Sequence, residues 1–256
     1  DSAAYVRECW ARFREYASGY HYNKPIVRGE GGVAESGTQP QHPGIATDPA
    51  GTYYHKKLWS HLGVLGYSCD GEWYPRLFVP EKAGQFPNPR YNLYTMFANY
   101  ERFIEDEPLS NGHYAEIGTD LTGARAVITA DRSGSLRAWG VRDDRTGRAL
   151  LWVDNADHTW RRVVDGMSID PASATLTLSG FRSGEAYVFE WWDTHAAYAG
   201  RNPIDRTTLA TAAYDGTLTL TVEGLEKDLA LKIAPFSPPK EMTHHRYLPL
   251  IVREAS

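Results

Sequence analysis

Near the start of the chain apolar residues recur at three- and four-residue intervals: Val6, Cys9, Trp10, Phe13, Tyr16 and Ala17. One continuous apolar face predicts a helix over 2–18, with Ser2 as N-cap and Ser18-Gly19 as stop. The pattern then breaks. Pro25, Ile26 and Val27 are apolar without polar alternation, which is how a strand buried on both faces reads, and a strand is predicted over 24–30. A stretch rich in Gly, Pro, Gln and Ser follows over 31–51 and has the length of a functional loop. A second helix starts at Asp48-Pro49 or Thr52 and runs to about 62, carrying Tyr54, Leu58, Trp59 and Leu62. A second buried strand is predicted over 63–69. An amphipathic helix over 91–105 then presents Leu93, Met96, Phe97, Tyr100 and Ile104 on one face.

From about residue 114 the texture changes. Short segments rich in β-branched and aromatic residues predict strands over 125–131, 136–143, 148–155, 174–180, 185–193, 209–214, 217–223 and 229–234. Residues 175–178 and 217–222 alternate Thr with an apolar residue, and Asp215-Gly216 between two of the runs is a tight hairpin signal. Eight such strands without a helical period predict an antiparallel β-sandwich of seven to nine strands. The tail over 237–256 opens on Ser237-Pro238-Pro239 and reads as a linker.

Composition narrows the function classes. The 256 residues carry a net charge of -5, which provides no basic footprint for nucleic acid. No run of 18 apolar residues is present to span a membrane. The chain opens directly into the first helical pattern, which reads as mid-structure rather than as an export signal. Cys9 and Cys69 read as small buried hydrophobes, a disulfide between them being the alternative. No metal-ligand spacing stands out, so neither metal nor cofactor is expected. Eight Trp and 16 Tyr suit both sugar stacking and sandwich cores.

The candidate chemistry centres on Glu30, a carboxylate set among Gly29, Gly31 and Gly32 at the end of the first strand. The glycines leave room for a ligand at the backbone. The stretch Lys24-Pro25-Ile26-Val27-Arg28-Gly29-Glu30 resembles the lysine-proline, short strand, glycine-glutamate signature of retaining glycoside hydrolases built on (β/α)8 barrels, of the cellulase- and mannanase-like kind (family 5-like). The resemblance implies an α/β plus all-β fold. In it, 1–112 is the C-terminal part of a barrel, from its sixth to its eighth helix, 113–236 is an appended β-sandwich, and 237–256 is a linker. It implies that Glu30 is the nucleophile and that Trp73 floors a sugar subsite. Arg28, Glu72 and Tyr74 would bind substrate beside them. The sandwich half is similar to those appended to such barrels at Ala138-Trp139-Gly140, 151–155, His158-Thr159-Trp160 and 190–194. The plainer readings are that Glu30 caps a loop and Trp73 packs.

A retaining hydrolase needs a second carboxyl, and in this family it comes from an Asn-Glu pair that the sequence does not contain. Glu35, Asp70 and Glu72 are the local substitutes, while His42, His55 and His61 read as structural. The resemblance therefore implies a retaining enzyme hydrolysing O-glycosyl bonds of β-linked polysaccharide, with a preceding barrel segment supplying the acid/base. Two alternatives compete with it. The sandwich could bind carbohydrate through Trp139, Trp152, Trp160, Trp191 and Trp192, or it could be a structural brace on a non-catalytic remnant. Adjacent Trp191 and Trp192 must point to opposite faces of a strand, leaving one at most for an interior. A spacer-like segment over 247–252 resembles those of exported bacterial proteins and implies extracellular localisation.

Overall fold

The computed structural model describes residues 1–20, 26–27, 30–31, 48, 50–64, 67–68, 71–72, 95–121, 128–133, 135–196 and 201–237. Helix α1 (Ser2–Tyr20) comes first, followed by β1 (Ile26–Val27) and β2 (Glu30–Gly31). Helix α2 (Thr52–Ser60) runs into a 3-10 turn at His61–Gly63, then β3 (Tyr67–Ser68), β4 (Gly71–Glu72) and α3 (Thr95–Ile104). The remainder is β5 (Tyr114–Gly118), β6 (Ile128–Ser133), β7 (Leu136–Asp143), β8 (Ala149–Asn155), the short helix α4 (Trp160–Val164), β9 (Ala172–Leu178), β10 (Ala186–Trp192), β11 (Ile204–Thr211), β12 (Leu218–Leu225) and β13 (Asp228–Pro235).

Two antiparallel sheets make the body, one of six strands in the order β11-β10-β13-β8-β7-β5 and one of three in the order β12-β9-β6. Between them lies a core that includes Leu136, Leu151, Leu176, Tyr187, Phe189 and Leu231. A second core covers the opposite face of the six-stranded sheet. There Trp139, Trp152 and Trp192 meet Ala3 of α1, Trp59 of α2 and Phe103 of α3. The order is therefore three-stranded sheet, six-stranded sheet, helices. Strand β8 is buried along its whole length because both its faces are covered. Strand β9 buries only alternate residues, so its sequence alternates Thr with an apolar residue.

This arrangement corrects the expected (β/α)8-barrel portion. Among the described residues there is no closed barrel, and the parallel strands there are two short pairs, β1 with β3 and β2 with β4. The physical reason is where the helices spend their apolar faces. In a barrel each helix packs on parallel strands, whereas here Trp59 and Phe103 pack on antiparallel strands near the middle of the six-stranded sheet. The helical period alone cannot distinguish those two destinations. The segment expected as a strand over 63–69 begins as the end of the 3-10 turn, and only Tyr67–Ser68 within it is described as strand.

Two further corrections concern the sheets. Asp215-Gly216 forms the tight turn, with Gly216 at a φ of 77° and the Thr217 amide donating to Asp215, but not a hairpin. Strand β11 before it pairs with β10 and β12 after it pairs with β9, so the turn carries the chain from one sheet to the other. Trp191 and Trp192 do face opposite ways, yet both are interior, Trp191 in the inter-sheet core and Trp192 under the helices. Cys9 is half-buried beside Val6 and Val64, and Cys69 lies outside the described residues.

Close backbone approach fixes how the 3-10 turn docks. A Cβ on Gly63 would come within 2.8 Å of the Trp139 Cβ, so the turn lies directly on β7. A Cβ on Gly140 of the same strand would overlap the Leu150 carbonyl of β8. Gly140→Ala should therefore spread the β7–β8 pair and destabilise the fold by about 2 kcal/mol or more, read as a lower urea midpoint at unchanged slope. An unaltered midpoint would show that the β7–β8 contact relaxes freely.

Candidate functional site

Among the described residues, the densest group of titratable side chains lies where α2 crosses the six-stranded sheet. The first of them are His55 and Lys56, from a helix whose Tyr53 amide donates to Asp48 at 3.0 Å. Asp154 is the last residue but one of β8, Asp228 opens β13, and Thr194 with His195 follows β10. His158 lies in the turn before α4.

Asp228 is the hub. Its Oδ1 accepts from the Trp152 indole at 3.1 Å and from the Thr194 hydroxyl, and sits 2.8 Å from His55 Nε2. Its Oδ2 lies 3.2 Å from His195 Nε2. The two imidazoles stack at 3.9 Å between centroids with planes 14° apart, so both rings present Nε2 to one carboxylate. The His55 and Asp228 side chains are fully buried, while His195 is 17% exposed and forms the outer edge.

Burial shapes the charges. It pushes His55 down to about 4 against the pull of Asp228, so the ring is neutral at pH 7. His158 is likewise pushed down to about 4 by burial, with Asp228, Lys56 and His195 among the charges it feels. For Asp228 burial acts upward, but the two histidines and their hydrogen bonds prevail and hold its carboxyl well below the usual range. Beside this hub lies an ion-paired trio. Lys56 Nζ is 2.9 Å from Asp154 Oδ1 and donates to the carbonyls of Asn155 and His158 at 3.1 and 2.8 Å. Arg137 grips the other oxygen of Asp154 at 2.7 and 2.8 Å and reaches Asp1 at 2.8 Å. Burial pushes Asp154 up to about 6 despite these cations, which still leaves it ionised at pH 7.

The other helices are tied in as well. Asn99 of α3 donates to the carbonyls of Asp193 and Thr194 at 3.1 and 2.7 Å, and Ser2 of α1 donates to the Tyr53 carbonyl at 2.8 Å. Elsewhere, a groove of 510 Å³ beside α1 is lined by Arg7, Trp10, Arg14, Glu116 and Asp120. Those charges already satisfy one another: Arg14 and the Trp10 indole both engage Glu116, and Arg7 engages Asp120.

Of the residues expected at a sugar site, Glu30 lies in β2 and Glu72 in β4, in neighbouring parallel strands where Glu30 pairs with Gly71 and Gly31 with Glu72. Arg28, Trp73 and Tyr74 lie outside the described residues, as do Glu35, His42 and Asp70. His61 is buried, with Nδ1 2.7 Å from the Lys57 carbonyl. The four tryptophans of the strands are closed to ligands: Trp139, Trp152, Trp191 and Trp192 are all at most 6% exposed. The cluster around Asp228 was not legible as a group, since His55 and Asp228 stand 173 residues apart. The usable signal was an aspartate heading an apolar strand, Asp228-Leu229-Ala230-Leu231, where a buried charge demands a partner.

Fold and cluster together define a helix-backed antiparallel β-sandwich with a buried polar hub. No family profile matches the sequence, and neither does any curated protein. No helix among the described residues is long and apolar enough to cross a membrane.

Removing one member of a buried ion pair leaves the other charge uncompensated, at a cost of about 3 to 5 kcal/mol. Lys56→Met should fall at the low end of that range by chemical denaturation, because Arg137 still holds the other oxygen of Asp154. Pairing it with Asp154→Asn should recover part of the loss. A Lys56→Met loss below about 1 kcal/mol, the scale of a surface pair, would mean that water reaches the trio.

Proposed function

We propose that this protein acts on β-linked polysaccharide as a retaining glycoside hydrolase with Glu30 as nucleophile, and that its antiparallel body is a rigid support. The observation that carries the reading is the setting of Glu30. Its strand runs parallel to Gly71–Glu72, and the helices that bracket it in sequence, α1 and α2, are both anchored on the six-stranded sheet. A reacting carboxylate has to be held within about 0.5 Å of its productive position, which calls for rigid elements behind it.

In the retaining mechanism an ionised carboxylate attacks the anomeric carbon while a protonated carboxyl gives its proton to the departing oxygen. Water then releases the sugar from the glycosyl-enzyme ester. Acid assistance is typically worth about 10² to 10⁴ in rate. Glu72, one residue beyond the strand partner of Glu30, is the local candidate for that role; otherwise the acid comes from a part of the enzyme outside this chain. A polymeric substrate places the reaction outside the cell.

The burial of Trp139, Trp152, Trp191 and Trp192 favours the support role over sugar binding by the sandwich. An aromatic ring packed on both faces has none left to stack on a sugar.

Fluoride leaves an anomeric carbon without a proton donor, so 2-deoxy-2-fluoro-β-glycosyl fluorides of gluco and manno configuration report the nucleophile even where the acid is lacking. Peptide mass spectrometry should find one glycosyl adduct on the peptide containing Glu30, and none in Glu30→Gln. An adduct on another carboxylate removes Glu30 from the role. No adduct with either sugar removes the hydrolase reading and leaves the support role standing.

A further inference from the structure

We propose that His55, His195 and Asp228, with His158 beside them, form a binding site for one divalent transition-metal ion of the Zn²⁺ kind. One ligand atom from each of the first three residues lies within 4.8 Å of the other two, and the residues come from three separate elements. Two imidazole nitrogens and a carboxylate oxygen are the donor types that zinc and its neighbours take in tetrahedral sites. These three residues are the donors and a fourth position falls to a water molecule; His158 stands close by, outside that group. His158 is 7% exposed, its Nδ1 finds no hydrogen-bond partner, and it lies within electrostatic reach of Asp228 and His195.

The surroundings suit the role. Trp152 and Thr194 both donate to Oδ1 of Asp228 and orient its carboxylate, as outer partners of metal ligands do. Oδ2 faces His195, the edge that solvent reaches. The nearest ammonium charge, Lys56, is neutralised by Asp154 and does not oppose a cation alone. Without an ion the carboxylate bridges the two rings by hydrogen bonds. Capture of the ion requires the neutral rings to carry their protons on Nδ1, which frees the Nε2 lone pairs, and the two stacked rings to turn so that both lone pairs converge on the ion. The inference stands apart from the hydrolase reading, since neither Glu30 nor Glu72 belongs to the cluster.

The test uses the whole chain, stripped with a chelator and titrated with Zn²⁺ by calorimetry, with metal content read by mass spectrometry. One ion per chain at micromolar affinity or tighter is expected, with Co²⁺ showing the visible bands of a four-coordinate site. His195→Ala changes the partly exposed member and should weaken Zn²⁺ at least tenfold while circular dichroism stays unchanged. His113→Ala, outside the cluster, should leave affinity as it was. No uptake by the parent chain overturns the proposal, as does equal affinity in the parent and His195→Ala.

Discussion

The inner strands of the six-stranded sheet are covered on both faces, and the rest of the architecture follows from that constraint. Antiparallel sheets commonly leave one face to water. Here strand β8 carries Ala149, Leu151 and Val153 into one core and Leu150 and Trp152 into the other. Each face needs its own cover. The three-stranded sheet supplies one and the three helices the other, so α1, α2 and α3 pack on a surface that strands later in the chain build, with Trp139, Trp152 and Trp192 at its centre. The tryptophans do most of this joining: Trp139 and Trp152 pair across β7 and β8 with centroids 5.6 Å apart, and Phe103 meets Trp192 edge-on at 5.3 Å.

A double-sided sheet leaves little water for the ends of its strands, and this explains the polar hub. Asp154 and Asp228 sit opposite each other in the β8–β13 register, at the end of two central strands where α2 passes over. Two carboxylates side by side in a buried place would repel and desolvate at a cost of several kcal/mol each. The helix delivers the compensation: Lys56 goes to Asp154 and His55 to Asp228. Adjacent residues on one helix thus meet adjacent strands of one sheet. Such pairing fixes where the helix crosses the strands more sharply than apolar contact alone, because a shifted helix would strand four buried polar groups.

Helices α1 and α2 are held on the sheet by more than apolar contact. Arg7 contributes from α1, bonded to Asp120 and the Gly63 carbonyl and lying 5.0 Å from the Trp139 ring. Arg137 also stands over the Trp139 ring, 4.6 Å from its centroid, while holding Asp154 and Asp1. Charge, aromatic packing and backbone contact are shared among few residues.

Features set by neighbours in the chain were legible in the sequence. The period of α1, the Thr–Leu alternation of β9 and β12, and the turn at Asp215-Gly216 rest on local sterics and hydrogen bonds, and no distant residue can change them. The proposal for Glu30 rests on a local pattern too, a carboxylate among glycines at the end of an apolar run. What the sequence left open was where each apolar face goes. A run such as Leu150-Leu151-Trp152-Val153 satisfies a parallel strand under helices and an antiparallel strand between a sheet and helices equally well. A turn residue bends the chain without choosing the sheet that the next strand joins. The hub of His55, His195 and Asp228 existed only once α2 had docked. Its members are ordinary polar residues in sequence, and burial, which gives them their chemistry, is a property of the packed molecule alone.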